Sequence, residues 1–163
     1  MANYGVPLLN VTVGTTTFFS AGCVYCNVAA GLARRIELYE IEVGHSGPLA
    51  SSDGQVIWDV SRFGATATLA GSNVVPNLLD GADTSPCATF YNGVTAELTY
   101  TAAAFGLGLK RWALNQRGFN RWRTLDDGDR LVVPAVAMNG MGIRAYSAVY
   151  TGTLQGSLSF TER

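Results

Sequence analysis

The chain is short of the groups that do chemistry. Its 163 residues include a single histidine, His45, three cysteines, and Lys110 as the sole lysine. A Ser–His–Asp arrangement would have only His45 as its base, and no Gly-x-Ser-x-Gly elbow occurs. A jelly-roll metalloenzyme of the cupin kind needs several converging histidines, which one residue in a Gly/Ser-rich stretch does not supply. Cys23 and Cys26 have metal or redox spacing, but a zinc site takes about four ligands. Cys87 and His45 are the only further candidates, and no helical pattern follows Cys26 as a thioredoxin-like motif requires. Gly106 and Gly108 lack the third glycine of a dinucleotide fingerprint, and no Walker pattern is present. These gaps predict a protein that is not an enzyme and needs no metal or cofactor.

Charge is scarce as well. Acidic and basic residues make up 14% of the chain, against roughly 25% in ordinary globular proteins. A surface with so few charges does little to keep copies of itself apart, which points toward burial against protein. The formal net charge is −1 and there is no basic tail, so neither nucleic acid nor an anionic membrane is an expected partner. No run approaches the roughly 20 apolar residues that span a bilayer. The start lacks a basic segment followed by an apolar core, so no secretory signal is expected.

Strand signals are abundant. Leu9–Val13, Thr15–Phe19, Arg35–Val43, Thr66–Leu69, Ala96–Thr101, Leu109–Leu114 and Ile143–Val149 are β-branched or aromatic runs, bounded by Gly, Asn, Asp, Ser and Pro. Val56, Trp58 and Val60 alternate with polar neighbours in a half-buried strand that ends near Phe63. In Thr153–Thr161, Leu154, Leu158 and Phe160 share a parity with Gly156, which marks a bulge position. Ile36 and Leu38 have one parity and Tyr39, Ile41 and Val43 the other, which predicts either a bulge near Tyr39–Glu40 or a strand buried differently at its two ends. Gly44–Gly54 reads as a loop that leaves His45 exposed, and Asn73–Pro86 as an exposed excursion. About eight to ten short strands with little or no helix predict an all-β antiparallel β-sandwich of jelly-roll type. The chain reads as one domain. Residues 1–33 carry no charge through Ala33 and form either an arm or the first strands, and residues 34–163 form the jelly roll.

The densest block runs from Trp112 to Ile143. Phe119–Arg123 and Arg130–Val133 flank Asp126-Asp127-Gly128-Asp129, a polar turn that predicts a hairpin. The three aspartates lack the twelve-residue spread and closing glutamate of an EF-hand calcium loop. As a strand, 119–123 projects Phe119, Arg121 and Arg123 from one face and Asn120 and Trp122 from the other. Arginines beside aromatics can stack on single-stranded nucleic acid, line a carbohydrate face or fix a subunit interface. The acidic net charge favours the interface.

The runs ALNQRGFNRW (Ala113–Trp122) and LVVPAVAMNGMGI (Leu131–Ile143) resemble the capsid decoration, or cement, proteins of tailed bacteriophages. The strongest likeness lies in Asn115-Gln116-Arg117, Arg121-Trp122, Val133-Pro134 and Asn139-Gly140, and in order and spacing it extends over residues 34–163. That resemblance implies a jelly-roll homotrimer on the outer surface of the virion capsid, assembled in the host cytoplasm, that bridges major capsid subunits. It carries no catalytic residues. Arg117, Arg121, Trp122 and Arg123 are the residues expected at the trimer or assembly interface. The uncharged start assigns Tyr4, Leu8, Leu9, Phe18 and Phe19 to capsid docking. The alternative is a carbohydrate-binding jelly-roll module of a phage head fibre or tail, with Trp58, Trp112, Trp122 and the seven tyrosines as stacking platforms.

Overall fold

Twelve strands in two antiparallel sheets account for most of the computed structural model, which describes residues 2–12, 19–26, 34–48, 53–64, 72–83, 86, 88–92, 100, 108–136 and 139–163. They are β1 (Ala2–Thr12), β2 (Phe19–Cys26), β3 (Ile36–His45), β4 (Gln55–Phe63), β5 (Ser72–Val74), β6 (Asn77–Leu78), β7 (Ala88–Asn92), β8 (Lys110–Asn115), β9 (Asn120–Arg123), β10 (Leu131–Val133), β11 (Gly140–Tyr146) and β12 (Thr153–Glu162). One sheet runs β10-β3-β12-β1-β6 with β9 also on β3, and the other runs β5-β7-β2-β11-β4-β8. The pairings β1 with β12, β2 with β11, β3 with β9 and β10, and β4 with β8 nest one inside the next. A long hairpin rolled up so that successive strands change sheets has this order, which is the jelly roll. The short strands β5, β6 and β7 come from the segment between β4 and β8 and widen both sheets at the opposite edge, which raises the strand number above eight to ten.

The core forms where inward rows from the two sheets meet. Tyr4, Val6 and Leu8 of β1, Val56, Trp58 and Val60 of β4, and Leu154, Leu158 and Phe160 of β12 are all buried. Tyr4 stacks on Phe160 with ring centroids 5.3 Å apart. Each such side chain contributes roughly 1.5–3 kcal/mol through removal of its apolar surface from water. The β3 bulge is where the parity switch places it. Ser159 pairs with Glu40 and Phe160 with Leu38, so Tyr39 is the extra residue that lets Ile36, Leu38, Ile41 and Val43 all face inward. The irregularity beside Gly156 lies on β1, where Leu8 pairs with Gly156 and Val11 with Leu154. Gly156 itself is required by close approach, since a Cβ there would lie 2.1 Å from the Glu42 carbonyl oxygen.

Two expectations change, and for the N-terminal segment the strand alternative is the one that the described residues show. Asp126–Asp129 does not close a hairpin, because β9 and β10 both pair with β3 and lie in series along it. Residues 124–130 loop out opposite Tyr39, whose carbonyl accepts the Thr124 N–H at 2.9 Å. The N-terminal segment supplies core strands, with β1 beside β12 and β2 beside β11. His45 ends β3 and packs against Tyr150 and Trp58, with ring centroids 5.3 and 6.4 Å away, instead of standing exposed in a loop. The strand expected at Thr66–Leu69, and all of Ala96–Thr101 but Tyr100 and its single bridge to Phe63, lie outside the described residues.

Candidate functional site

The outward face of β3 carries a row of carboxylates. Glu37 is 3% exposed and lies 3.1–3.3 Å from the guanidinium groups of Arg35, Arg130 and Arg163. Glu40 pairs with Arg121 and, at 3.9 Å, with Arg123. Arg121 also reaches Glu42 at 3.3 Å, and the Ser157 hydroxyl donates to the other Glu42 oxygen at 2.9 Å. Register explains this order, because Arg121 sits opposite Glu42 and Arg123 opposite Glu40 across the β3–β9 pair. The hydrogen bond to Glu40 raises the Arg121 pKa above its ordinary value. Arg117 pairs with Asp53 at 3.0 Å, and that hydrogen bond lowers the Asp53 pKa. Among the described residues, every arginine except Arg62 is within ion-pair distance of a carboxylate. Arg62 donates to the Val132 carbonyl.

The second sheet hides charge beneath its outer face. Asp59 is fully buried and accepts from Arg144 Nε at 3.0 Å, from Arg111 at 3.0 Å and from the Ser61 hydroxyl at 2.6 Å. Tyr100 covers the cluster, its ring centroid 4.2 Å from the Arg144 guanidinium carbon. Cys23, Tyr25, Phe63 and Tyr100 form a small apolar group on this side, and burial pushes the Cys23 thiol up to about 12. A thiol held there is no nucleophile at neutral pH. The side chain of Cys26, and Cys87, lie outside the described residues.

The residues assigned to capsid docking separate. Tyr4 and Leu8 are core residues, 0% and 1% exposed, and so are not presented to a partner. Their even-numbered alternation with Asn3, Gly5 and Pro7 is a strand signal that the lack of charge obscured. Leu9 stands at the surface, 49% exposed. Phe18 and the side chain of Phe19 lie outside the described residues. Of the interface set, Arg117, Arg121 and Arg123 are on the surface, while Trp122 packs partly buried against the core with the Lys110 ammonium 5.4 Å from its ring centroid. Trp58 is buried and Trp112 also packs on the core, so neither ring is a free stacking platform.

A groove missed at the sequence level lies where β1, β3, β12 and the turn before β9 meet. Leu9, Glu42, Gly44, His45, Phe119 and Gln155 are among its lining residues. A second depression, toward Arg117 and Gln116, shares Gly44, His45 and Phe119. Phe119, 65% exposed, therefore stands as a ridge between two hollows. Its sequence signal was an aromatic between Gly118 and Asn120, without apolar neighbours to pack on.

Among the described residues, no three His, Cys, Asp or Glu side chains are grouped to hold a metal ion, and no helix is long and apolar enough to cross a membrane. In comparison with known proteins, the chain matches no family model and no curated sequence.

Proposed function

We propose that this protein is a structural component of a bacteriophage virion, a capsid decoration protein that trimerises on the outer shell and bridges major capsid subunits. The resemblance of Ala113–Trp122 and Leu131–Ile143 to such proteins names the assembly. The observation that carries the reading is the spent charge of the surface: nine of the ten arginines are matched by carboxylates of the same chain, while large apolar side chains stay in water. Val75 is 72% exposed, Leu79 59% and Leu125 95%. Val75 and Leu79 flank β6 at the edge of the first sheet, where Leu79 lies against Gly5. Exposed apolar groups on a weakly charged exterior favour protein contacts.

The mechanism is adhesion. Apolar burial at about 25 cal/mol per Å² supplies affinity, and arginines already oriented by Glu40, Glu42 and Asp53 set register without being freshly ordered. A trimer gripping several shell subunits gains avidity even when each contact is weak. Immunogold imaging of purified virions with antibodies to this protein tests the assignment. Label spread over the head is expected. Label confined to the tail, or absent from virions, overturns it.

A further inference from the structure

We propose that the groove beside Phe119 binds a neutral saccharide, with one pyranose ring laid against the phenyl face. The inference does not rest on the capsid reading. It begins with an aromatic ring that the fold displays and does not bury. Gly118 N–H donates to the Asn115 carbonyl at 2.7 Å, and Arg117 N–H to Asn115 Oδ1 at 2.9 Å. His45 Nδ1 faces the Gly118 carbonyl at 3.3 Å and donates to it as the Nδ1–H tautomer. Gly44 leaves bare backbone beneath the ring, since even a Cβ there would come within 3.3 Å of Phe119. Phe119 is therefore presented at the surface by a braced turn, and little ordering remains to be done on binding.

The chemistry around the ring selects the ligand. The groove encloses about 310 Å³, within the size range of small-molecule sites. Leu9 and Phe119 provide apolar walls, while Glu42, Gln155 and Ser157 provide hydrogen-bonding groups. Glu42 is oriented by Arg121 and Ser157, which use part of its acceptor capacity and leave further lone-pair positions. A pyranose combines an apolar C–H face with a perimeter of hydroxyls, and so matches a phenyl plate beside a carboxylate, an amide and a hydroxyl. An added peptide strand fits poorly, because the flanking strands β3 and β12 are already paired with each other at Val43–Gly156 and Gly44–Gln155. An anionic ligand would meet Glu42, with Arg121 already neutralised by Glu40 and Glu42.

The test is an amide-resolved NMR titration of the intact protein with maltose, cellobiose, lactose and mannobiose at tens of millimolar. At least one sugar should give saturable shifts at Gly44, Phe119, Gln155 and Ser157. Phe119→Ala should weaken binding roughly tenfold or more, with an unchanged melting temperature because the ring is exposed. Gln155→Ala should weaken it with the ring intact. Absence of saturable shifts with all four sugars overturns the proposal, as does undiminished binding by Phe119→Ala. Shifts at these residues that follow protein concentration without sugar also overturn it, and assign the groove to a second copy of the chain. Neither result depends on where the protein sits on a virion.

Discussion

Asn92 of β7 grips Leu9 of β1 by both of its backbone groups. Its side-chain carbonyl accepts the Leu9 N–H at 3.1 Å, and its amide donates to the Leu9 carbonyl at 2.9 Å. Leu9 lies at the β1 bulge, where pairing with β12 jumps from Leu8 to Val11. Its peptide groups therefore receive from a side chain what a neighbouring strand would otherwise give, and the two sheets are tied together at that point. Asn92→Ala should cost about 1–3 kcal/mol, two hydrogen bonds at roughly 0.5–1.5 each, measured by urea unfolding. Asn92→Asp should cost at least as much, because a carboxylate oxygen would face the Leu9 carbonyl. Unchanged stability in both variants would show that the clamp contributes nothing.

His45 gives the fold a pH dependence. Burial holds its pKa below the ordinary 6.5, so the unfolded chain takes up the proton first as pH falls. Stability from this residue is complete above about pH 6.5 and declines as pH drops below it. Asp53 and Asp127, lowered from 3.8 chiefly by hydrogen bonds with Arg117 and Arg163, lose their contribution only in more acid solution. Thermal melts between about pH 7.5 and 5.5 should show a falling transition in the parent and a flatter profile in His45→Gln. Parallel profiles would exclude His45 as the source.

Arg144 and Asp59 are a buried pair whose halves depend on each other. Arg144→Met would leave the Asp59 carboxylate with Arg111 and Ser61 as its remaining partners among the described residues, at a cost of about 3 kcal/mol, the low end for a broken buried pair. Arg144→Met combined with Asp59→Asn should recover part of that loss. A double-mutant cycle by chemical denaturation measures the coupling, and purely additive losses would mean that the pair is not coupled.

Much of the fold was legible because burial on one side leaves a period-two record. Val56, Trp58 and Val60, or Leu154, Leu158 and Phe160, announce an inward face, and the parity switch at Tyr39 narrows β3 to a bulge or a change of burial, between which the β3–β12 register decides for the bulge. Pairing partners leave no such record. The turn chemistry of Asp126–Asp129 suits a hairpin or a loop interrupting one strand equally well, and only register on β3 distinguishes them. Asp59 and Arg144 look like solvent-facing residues of strands β4 and β11, because Tyr100, whose ring lies over Arg144, is distant in sequence. The Phe119 groove draws on four separate parts of the chain, so no local motif could mark it. The arginine cluster was visible, but its carboxylate partners on β3 appeared only with the β3–β9 pairing.

Arg121→Glu places a third carboxylate beside Glu40 and Glu42. The exposed position should keep the monomer folded, with its circular dichroism unchanged, while the subunit contact is lost. An unaltered trimer would remove Arg121 from the interface.

The most direct test of the assembly reading is the mass of the purified protein in solution, measured by light scattering coupled to size exclusion. The account predicts three times the mass of one chain, held on dilution. A single-chain mass at all concentrations would contradict it.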